Sequence, residues 1–280
     1  MNTKKLLIVP ALFIVLGVWA QEANLTINPV AKKKYDIELN STTNVTQNMG
    51  GMEMKMNSSS VAKVVMEIEE VTPNENFTVL STWKEIKSTS SVMGKDTTVN
   101  FDDLHLEMRT VYDKSGKSIK NERVDKSTSS DPIFAMVEQM ATGMKFPILP
   151  AKTVKKGDTW TSNRNDTIKP VESPFEMIID AEDKYTYAGV ETKDGKEYYR
   201  INIEGPTKVS GEGSQMGMDM TIEGTGVNEG YLLLDKTTLL PVFVDEKVGL
   251  DMSIMISGAQ SMAIPMTQNT STTTKFTEIK

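Results

Sequence analysis

The chain has no cysteine and only one histidine, His105, among its 280 residues. The lack of thiols excludes a disulfide framework, a cysteine nucleophile and a cysteine-built zinc site, and one imidazole cannot form a multi-histidine metal centre. Basic residues are outnumbered, with 31 Lys and Arg against 38 Asp and Glu. Because affinity for a phosphate backbone depends on clustered Lys and Arg, this balance argues against a nucleic-acid partner.

The N-terminus has the organisation of a secretory signal peptide. Two lysines precede an apolar run from Leu6 to Trp19, and Ala20 then precedes Gln21. We expect cleavage between Ala20 and Gln21, so that residues 1–20 are removed and the protein is secreted or periplasmic. The apolar run is shorter than the roughly 20 residues of a membrane-spanning helix, so we expect no transmembrane segment after cleavage. No cysteine follows the run to carry a lipid anchor.

Alternation of apolar and polar residues predicts a long β-hairpin around Gly50 and Gly51. A two-residue turn there pairs positions whose numbers add up to 101, which sets Tyr35 opposite Met66 and Val45 opposite Met56. This register places the apolar residues of both alternating series on one face. Strands of some 15 residues span about 50 Å and must twist. We therefore expect a mainly β (α+β) fold, a long curved antiparallel sheet or half-barrel.

One segment in the middle of the chain has helical spacing. Asp131 and Pro132 match the N-cap and first helical position, and apolar residues follow at intervals of three and four. We predict a short helix near 131–144. Residues 21–145 would then form a first β-meander with this helix and residues 146–280 a second, the two making one continuous domain, 31–280. A weak sequence repeat at an offset of 166 residues predicts that the two meanders are related.

Methionine is over-supplied, with 19 residues, and several lie two apart near predicted hairpin tips. Three interpretations remain open: filling of an irregular core, lining of an accommodating apolar pocket, and thioether ligation of Cu(I). The second assigns an apolar ligand-binding face to Met52, Met54, Met56, Met66, Met216, Met218, Met220, Met252, Met262 and Met266. The copper alternative uses Met52, Met54 and Met56.

No other side chains form a convincing catalytic site. His105 alternates with Leu104 and Leu106, so its parity places it on the solvent face of a strand. Paired carboxylates also fall on polar faces, where solvated charge is the ordinary outcome. These pairs are Asp102 with Asp103, Glu67 with Glu69, and Asp180 with Glu182. We expect no enzyme activity and no cofactor.

Two short stretches resemble known families. The segment Leu234–Val242, an Asp-X-X-Thr-X-Leu-X-Pro hairpin, resembles the periplasmic lipoprotein-carrier superfamily. Leu149-Pro150 followed by Gly157-Asp158-Thr159-Trp160 resembles an uncharacterised family of secreted proteins from Bacteroidetes-type bacteria. Lipoprotein carriers fold as a curved antiparallel half-barrel closed by helices over an apolar cavity. The resemblance implies that fold here, with the predicted helix as lid.

Together these observations lead us to expect an exported, non-enzymatic protein that binds a lipid or another hydrophobic small molecule on a methionine-rich sheet face. The alternatives are a periplasmic Cu(I)-binding protein and a structural or envelope-assembly module whose protein partner is unknown.

Overall fold

The computed structural model describes residues 22–102, 104–125, 146–168, 175–215, 218–258 and 261–280. These ranges are dominated by long strands and contain no helix. The helix predicted near 131–144 lies outside them. In chain order the strands are β1 (Glu22–Asn24), β2 (Lys34–Met49), β3 (Met52–Val71), β4 (Phe77–Val92), β5 (Lys95–Phe101), β6 (Leu106–Tyr112), β7 (Ser118–Arg123), β8 (Thr153–Lys155), β9 (Thr159–Ile168), β10 (Glu176–Lys193), β11 (Lys196–Gln215), β12 (Met218–Asp235), β13 (Pro241–Ser257) and β14 (Met262–Ile279).

Twelve strands form one antiparallel sheet, which confirms the mainly β prediction. Its order is β7-β6-β4-β3-β2-β14-β13-β12-β11-β10-β9, and β5 pairs with β4 beside this path. Strands β1 and β8 form a separate two-stranded sheet. Most neighbours in the sheet are also neighbours in the chain, but β14 returns to pair with β2. Within the described residues β7 and β9 are the two ends of the sheet and do not pair with each other, so the sheet is open.

The register of the β2–β3 hairpin is the predicted one. Tyr35 lies opposite Met66 and Val45 opposite Met56. The turn residues Gly50 and Gly51 have φ values of 59° and 88°. A tight two-residue hairpin turn needs positive φ at both central positions, which glycine adopts without steric cost.

The hairpin turns gather at two opposite ends of the sheet, because successive long strands run up and down. We call these the tip end and the base end. At the tip end β2, β4, β11 and β13 finish, at Met49, Val92, Gln215 and Ser257, and at the base end β3, β10 and β12 finish, at Val71, Lys193 and Asp235.

The main hydrophobic core lies at the base end, on the inner face of the sheet. It includes Leu106 of β6 and Tyr187 of β10, both fully buried, although seven strands separate β6 from β10 in the sheet order. Residues so far apart along a sheet share one core only when the sheet bends over its inner face. Burial of these apolar side chains drives that closure.

An N-terminal segment ties the base end together. The backbone N–H of Leu25 donates to the carbonyl of Lys152, and the N–H of Ile27 to that of Lys114, both at 3.0 Å. The next residue, Asn28, donates its N–H to the carbonyl of Thr238 at 2.9 Å. Leu25 and Ile27 are buried in the main core. The segment therefore joins turns that belong to both halves of the chain.

Glycines permit close approach of the strands where the inner face bends. A Cβ atom added to Gly226 on β12 would lie 1.9 Å from the carbonyl oxygen of Gly249 on β13. A Cβ added to Gly205 on β11 would lie 2.0 Å from the carbonyl oxygen of Glu182 on β10. No other residue fits these positions without a shift of the backbone.

Candidate functional site

The inner face of the sheet changes character from base to tip. Above the main core, half-buried hydroxyls face each other across β2 and β14, with Ser41 Oγ 3.2 Å from Thr272 Oγ1 and Thr43 Oγ1 3.1 Å from Thr270 Oγ1. Nearer the tip the inner residues become apolar again. Val209, Leu250 and Met252 form a second, smaller buried cluster there. The partly buried residues packed against it are Met177, Ile179, Ile222, Val248 and Met266. We call this set the second apolar cluster.

Strand pairing brings several of the predicted methionines into rows across this apolar zone. Met252 lies opposite Met266, Met266 opposite Gln47, and Gln47 opposite Met54, so all four share one row over β13, β14, β2 and β3. Directly opposed residues have their side chains on the same face. The side-chain amide of Gln47 donates to Sδ of Met266 at 3.2 Å.

The remaining predicted methionines are distributed differently. In a second row, nearer the tip, Met220 and Met262 are both partners of Ile256. Met56 is partly buried opposite Val45. Met66 belongs to the main core at 1% exposure, away from the tip. Met52, Met218 and Met262 are 75%, 42% and 41% exposed, and Met216 lies outside the described residues.

Exposed apolar side chains occur at four tip turns. Those at this end whose position faces the inner side or the turn include Met49, Met52, Val92, Met93, Met218 and Met262. Single exposed apolar residues are ordinary on protein surfaces, but a concentration at one end of a molecule forms a patch. We call this set the tip rim. It adjoins the apolar zone of the inner face.

Between the main core and the second apolar cluster lies a group of polar residues that we call the inner polar cluster. Its members are Arg164 on β9, Asp183 on β10, Asn228 on β12 and Glu246 on β13. The side-chain amide of Asn228 donates to Oδ1 of Asp183 at 3.0 Å. Nε of Arg164 lies 3.9 Å from Oδ2 of Asp183. Asp183 and Asn228 are only 6% and 1% exposed.

The environment of this cluster perturbs two ionisable groups. Burial is the main factor that raises the pKa of the Glu246 carboxyl. The charge of Asp183 raises it further, whereas Arg164 and a hydrogen bond from Asn228 oppose the shift. Burial also raises the pKa of the Tyr185 hydroxyl, and the charges of Asp183 and Glu246 add to this effect. The cluster is therefore poorly solvated and holds an excess of negative charge.

A cleft of about 590 Å³ between the two ends of the sheet is lined by three members of this cluster, Arg164, Asp183 and Glu246. On one side lie Lys117 and Ser118, at the start of β7, and on the other Arg164, Asp183 and Glu246. At the base the gap is bridged by residues 146–149. The N–H of Leu149 donates to the carbonyl of Ser115 at 2.7 Å, and the indole N–H of Trp160 donates to that of Ile148 at 2.8 Å.

Other candidate residues lie where the sequence pattern placed them. His105 is exposed between buried Leu104 and Leu106, as predicted. Asp180 and Glu182 are exposed as well, which confirms that this carboxylate pair is solvated. Glu69 instead forms a two-point ion pair with Arg109.

The inner polar cluster was not predicted from the sequence, although the sequence contains a signal for it. Asp183 interrupts the inward series between Ala181 and Tyr185 on β10. Glu246 likewise falls between Val244 and Val248 on the inner face of β13. A charged residue at the parity of an apolar series predicts a buried charge, and that charge needs partners.

Within the described ranges, no group of three or more His, Asp or Glu side chains is arranged to hold a metal ion. Over the same ranges, no helix is long and apolar enough to cross a membrane.

A family model described as a family of unknown function, DUF6263, matches residues 97–241, just over half of the chain. The chain belongs to the DUF6263 family. The expected membership of an uncharacterised family is thereby confirmed. The match extends from β5 to the start of β13, so the part of the chain shared with the DUF6263 family contains Arg164, Asp183 and Asn228 but not Glu246. No curated protein matches the sequence.

Among solved structures, the chain is similar to an outer membrane channel from Pseudomonas putida F1, with 7% identity and a TM-score of 0.25 over 89% of this chain and 97% of that one. It is also similar to the transport unit of the autotransporter AIDA-I from Escherichia coli, with 10% identity and a TM-score of 0.23 over 89% and 92% of the two chains. A third is OmpF from Salmonella typhi in complex with daunomycin, with 6% identity and a TM-score of 0.27 over 86% and 98%. Likenesses at these TM-scores support no conclusion about this chain.

Proposed function

We propose that this protein is exported and binds an apolar ligand, a lipid or acyl chain, on the inner face of its sheet near the tip end. The observation that carries the proposal is the row formed by Met54, Met266 and Met252, which continues into the second apolar cluster. Methionine side chains are flexible and polarisable, so a surface built from them adapts to varied apolar ligands.

The tip rim supports the same proposal. Met52 and Met93 are 75% and 79% exposed, at the ends of two different hairpins. An apolar chain that arrives from a lipid assembly would meet this rim before it reached the buried row at Met252. The rim would thus shorten the path over which the chain is exposed to water.

The N-terminal signal and the sheet architecture complete the proposal. Cleavage between Ala20 and Gln21 would deliver the protein to the periplasm or beyond, which N-terminal sequencing of protein from its host would test. We also infer a curved half-barrel made of two related meanders. In support, β3 and β12 begin 166 residues apart, at Met52 and Met218, and both run from the tip end to the base end.

The test of ligand binding is a titration of the full-length protein with 11-(dansylamino)undecanoic acid, followed by fluorescence. We expect saturable binding with one site per protein. The double variant Met54→Gln/Met266→Gln keeps side-chain length but places amides in the row, so affinity should fall about tenfold or more. Met255→Gln is the matched control, because Met255 is 53% exposed and outside the row. Absence of saturable binding, or equal affinity in the double variant and the control, would overturn the proposal.

A Cu(I)-binding function is the second candidate, and the β2–β3 tip favours it. Met49 and Met52 are direct partners at the turn, and Met54 follows two residues later on the same face. Thioethers are suitable ligands for this soft cation. Anaerobic titration with Cu(I) in competition with a chromogenic chelator tests the idea. Unchanged affinity after Met52, Met54 and Met56 are all replaced by Leu would reject it.

A further inference from the structure

The inner polar cluster stands at the base-side end of an apolar track. From Glu246, the inward residues of β13 continue through Val248 and Leu250 to Met252. From Asp183, those of β10 continue through Ala181 towards the same cluster. A ligand whose apolar chain occupied the second apolar cluster would therefore have its other end beside Asp183 and Glu246.

Two buried atoms of the inner polar cluster lack hydrogen-bond partners. One is the acceptor Oδ1 of Asn228, a residue only 1% exposed, and the other is the donor Nε of Arg164. Buried polar atoms in folded proteins are nearly always paired, so each unpaired one calls for an explanation. Asn228 interacts with both Asp183 and Glu246, and these two carboxylates line the cleft. Its unpaired oxygen thus belongs to a residue that contacts both carboxylates of the cleft.

The cleft holds charged groups of both signs, and Nε of Arg164 lies only 3.9 Å from Oδ2 of Asp183. Asp183, Glu246 and the oxygen of Asn228 are acceptors suited to an ammonium group. Arg164 and, from the facing end of the sheet, Lys117 are donors suited to an anion. A ligand with a single charge satisfies only one of these sets, whereas a zwitterion satisfies both.

We propose that the cleft binds a zwitterionic headgroup in which an ammonium is joined to a phosphate. Asp183, Glu246 and Asn228 receive the ammonium, and Arg164 and Lys117 receive the phosphate. The headgroup belongs to an amphiphile whose chain lies along Leu250 and Met252 towards the tip. This assignment rests on the proposed apolar-ligand function and names the class of lipid that the protein binds.

The test compares three probes on the full-length protein by isothermal titration calorimetry. Two are lipids below their critical micelle concentrations, 1-lauroyl-lysophosphatidylethanolamine and 1-lauroyl-lysophosphatidylglycerol, which share a chain and a phosphate but differ in the ammonium. The third is O-phosphoethanolamine, the headgroup without a chain. We expect the ethanolamine lipid to bind about tenfold or more tightly than the glycerol lipid, because only it presents a charged donor to the carboxylates.

Variants of the cleft residues test which side chains cause the preference for the ethanolamine lipid. Asp183→Asn and, separately, Glu246→Gln should each reduce the preference for the ethanolamine lipid, whereas Glu182→Gln, an exposed change on the same strand, should preserve it. Because Glu246→Gln keeps shape and hydrogen-bonding capacity, the test survives if Asp183→Asn fails to fold.

The outcomes separate the two proposals. Equal affinity for both lipids overturns the headgroup site and leaves the apolar-ligand function standing. Failure of both lipids to bind overturns both. Binding of O-phosphoethanolamine as tight as that of its lipid supports the headgroup site and contradicts the assigned path of the chain.

Discussion

Asn228 and Asp183 are joined across the strand between them. The side-chain amide of Asn228 on β12 donates to Oδ1 of Asp183 on β10 at 3.0 Å. The β11 residue opposite Asn228 is Gly205, which has no side chain to intervene. The buried carboxylate of Asp183 has a partner because Asp183, Gly205 and Asn228 lie side by side on three neighbouring strands.

Replacement of Asn228 by Ala should destabilise the fold by about 2–4 kcal/mol. It removes a hydrogen bond to a carboxylate that is only 6% exposed and leaves that charge poorly solvated. Urea unfolding followed by circular dichroism measures the change. Asn44→Ala, an exposed change on β2, is the control and should alter stability by less than about 0.5 kcal/mol. Equal effects of the two substitutions would contradict this role for Asn228.

Glu246→Gln should stabilise the protein at pH 7 but not near pH 4. Burial raises the pKa of Glu246 in the folded state, so the folded protein binds this proton more tightly than the unfolded chain does. The protonated carboxyl thus favours folding below the unfolded pKa of about 4.3, and this contribution is lost as pH rises through the folded pKa. A glutamine stays neutral throughout and avoids that loss.

The measurement is urea unfolding of both proteins at pH 4 and pH 7, with Glu182→Gln as the charge-matched control. If the free energies of unfolding of the Glu246 variant and the parent differ by the same amount at both pH values, the raised pKa of Glu246 is not the cause of the stabilisation.

Gly226→Ala should destabilise the protein by about 1–3 kcal/mol or more. The new Cβ would lie 1.9 Å from a backbone oxygen, which cannot move away without distorting β13. That oxygen belongs to the carbonyl of Gly249. A Cβ added to Gly249 itself would approach only Oδ1 of Asn269, at 3.3 Å. Gly249→Ala is therefore the matched control, with an expected change within about 0.5 kcal/mol. Thermal melts that rank the two variants in the opposite order would refute the close-approach argument.

Local sequence patterns were sufficient to predict the β2–β3 hairpin but not the pairing of the C-terminal strand β14 with β2. Two glycines and inverted parity determine that Val45 faces Met56. By contrast, Ile37 pairs with Phe276 through the β2–β14 contact, and no local signal specifies a pairing over so many residues. The bend that unites Leu106 and Tyr187 in one core depends on that long-range order.

The candidate site divides in the same way. The inward parity of Met54 and Met266 is a period-2 pattern that can be read along one strand. In the inner polar cluster, by contrast, Asp183 meets Asn228 only when β10, β11 and β12 are in correct mutual register. The sequence therefore predicted an apolar face, whereas the pairing of Asp183 with Asn228 emerged only from the three-dimensional arrangement.

Arg109→Lys should raise the pKa of Glu69 towards its ordinary value. Arg109 donates through Nε to Oε2 of Glu69 at 2.6 Å and through Nη2 to Oε1 at 2.9 Å. Hydrogen bonding from Arg109 is the main cause of the lowered pKa of Glu69. A lysine ammonium cannot form this planar two-point contact, so it stabilises the carboxylate less well.

The sign of the pH effect follows from this shift. A carboxyl whose folded pKa is lowered contributes stability above its unfolded pKa and loses that contribution as pH falls through the folded value. In Arg109→Lys the loss should begin at higher pH than in the parent, while both proteins approach the same stability in stronger acid. Carbon-detected NMR titration of Glu69 measures the pKa directly, with Lys208→Arg on the exposed face of β11 as control. An unchanged Glu69 pKa in the Arg109 variant would mean that general surface charge, rather than the two-point pair, lowers it.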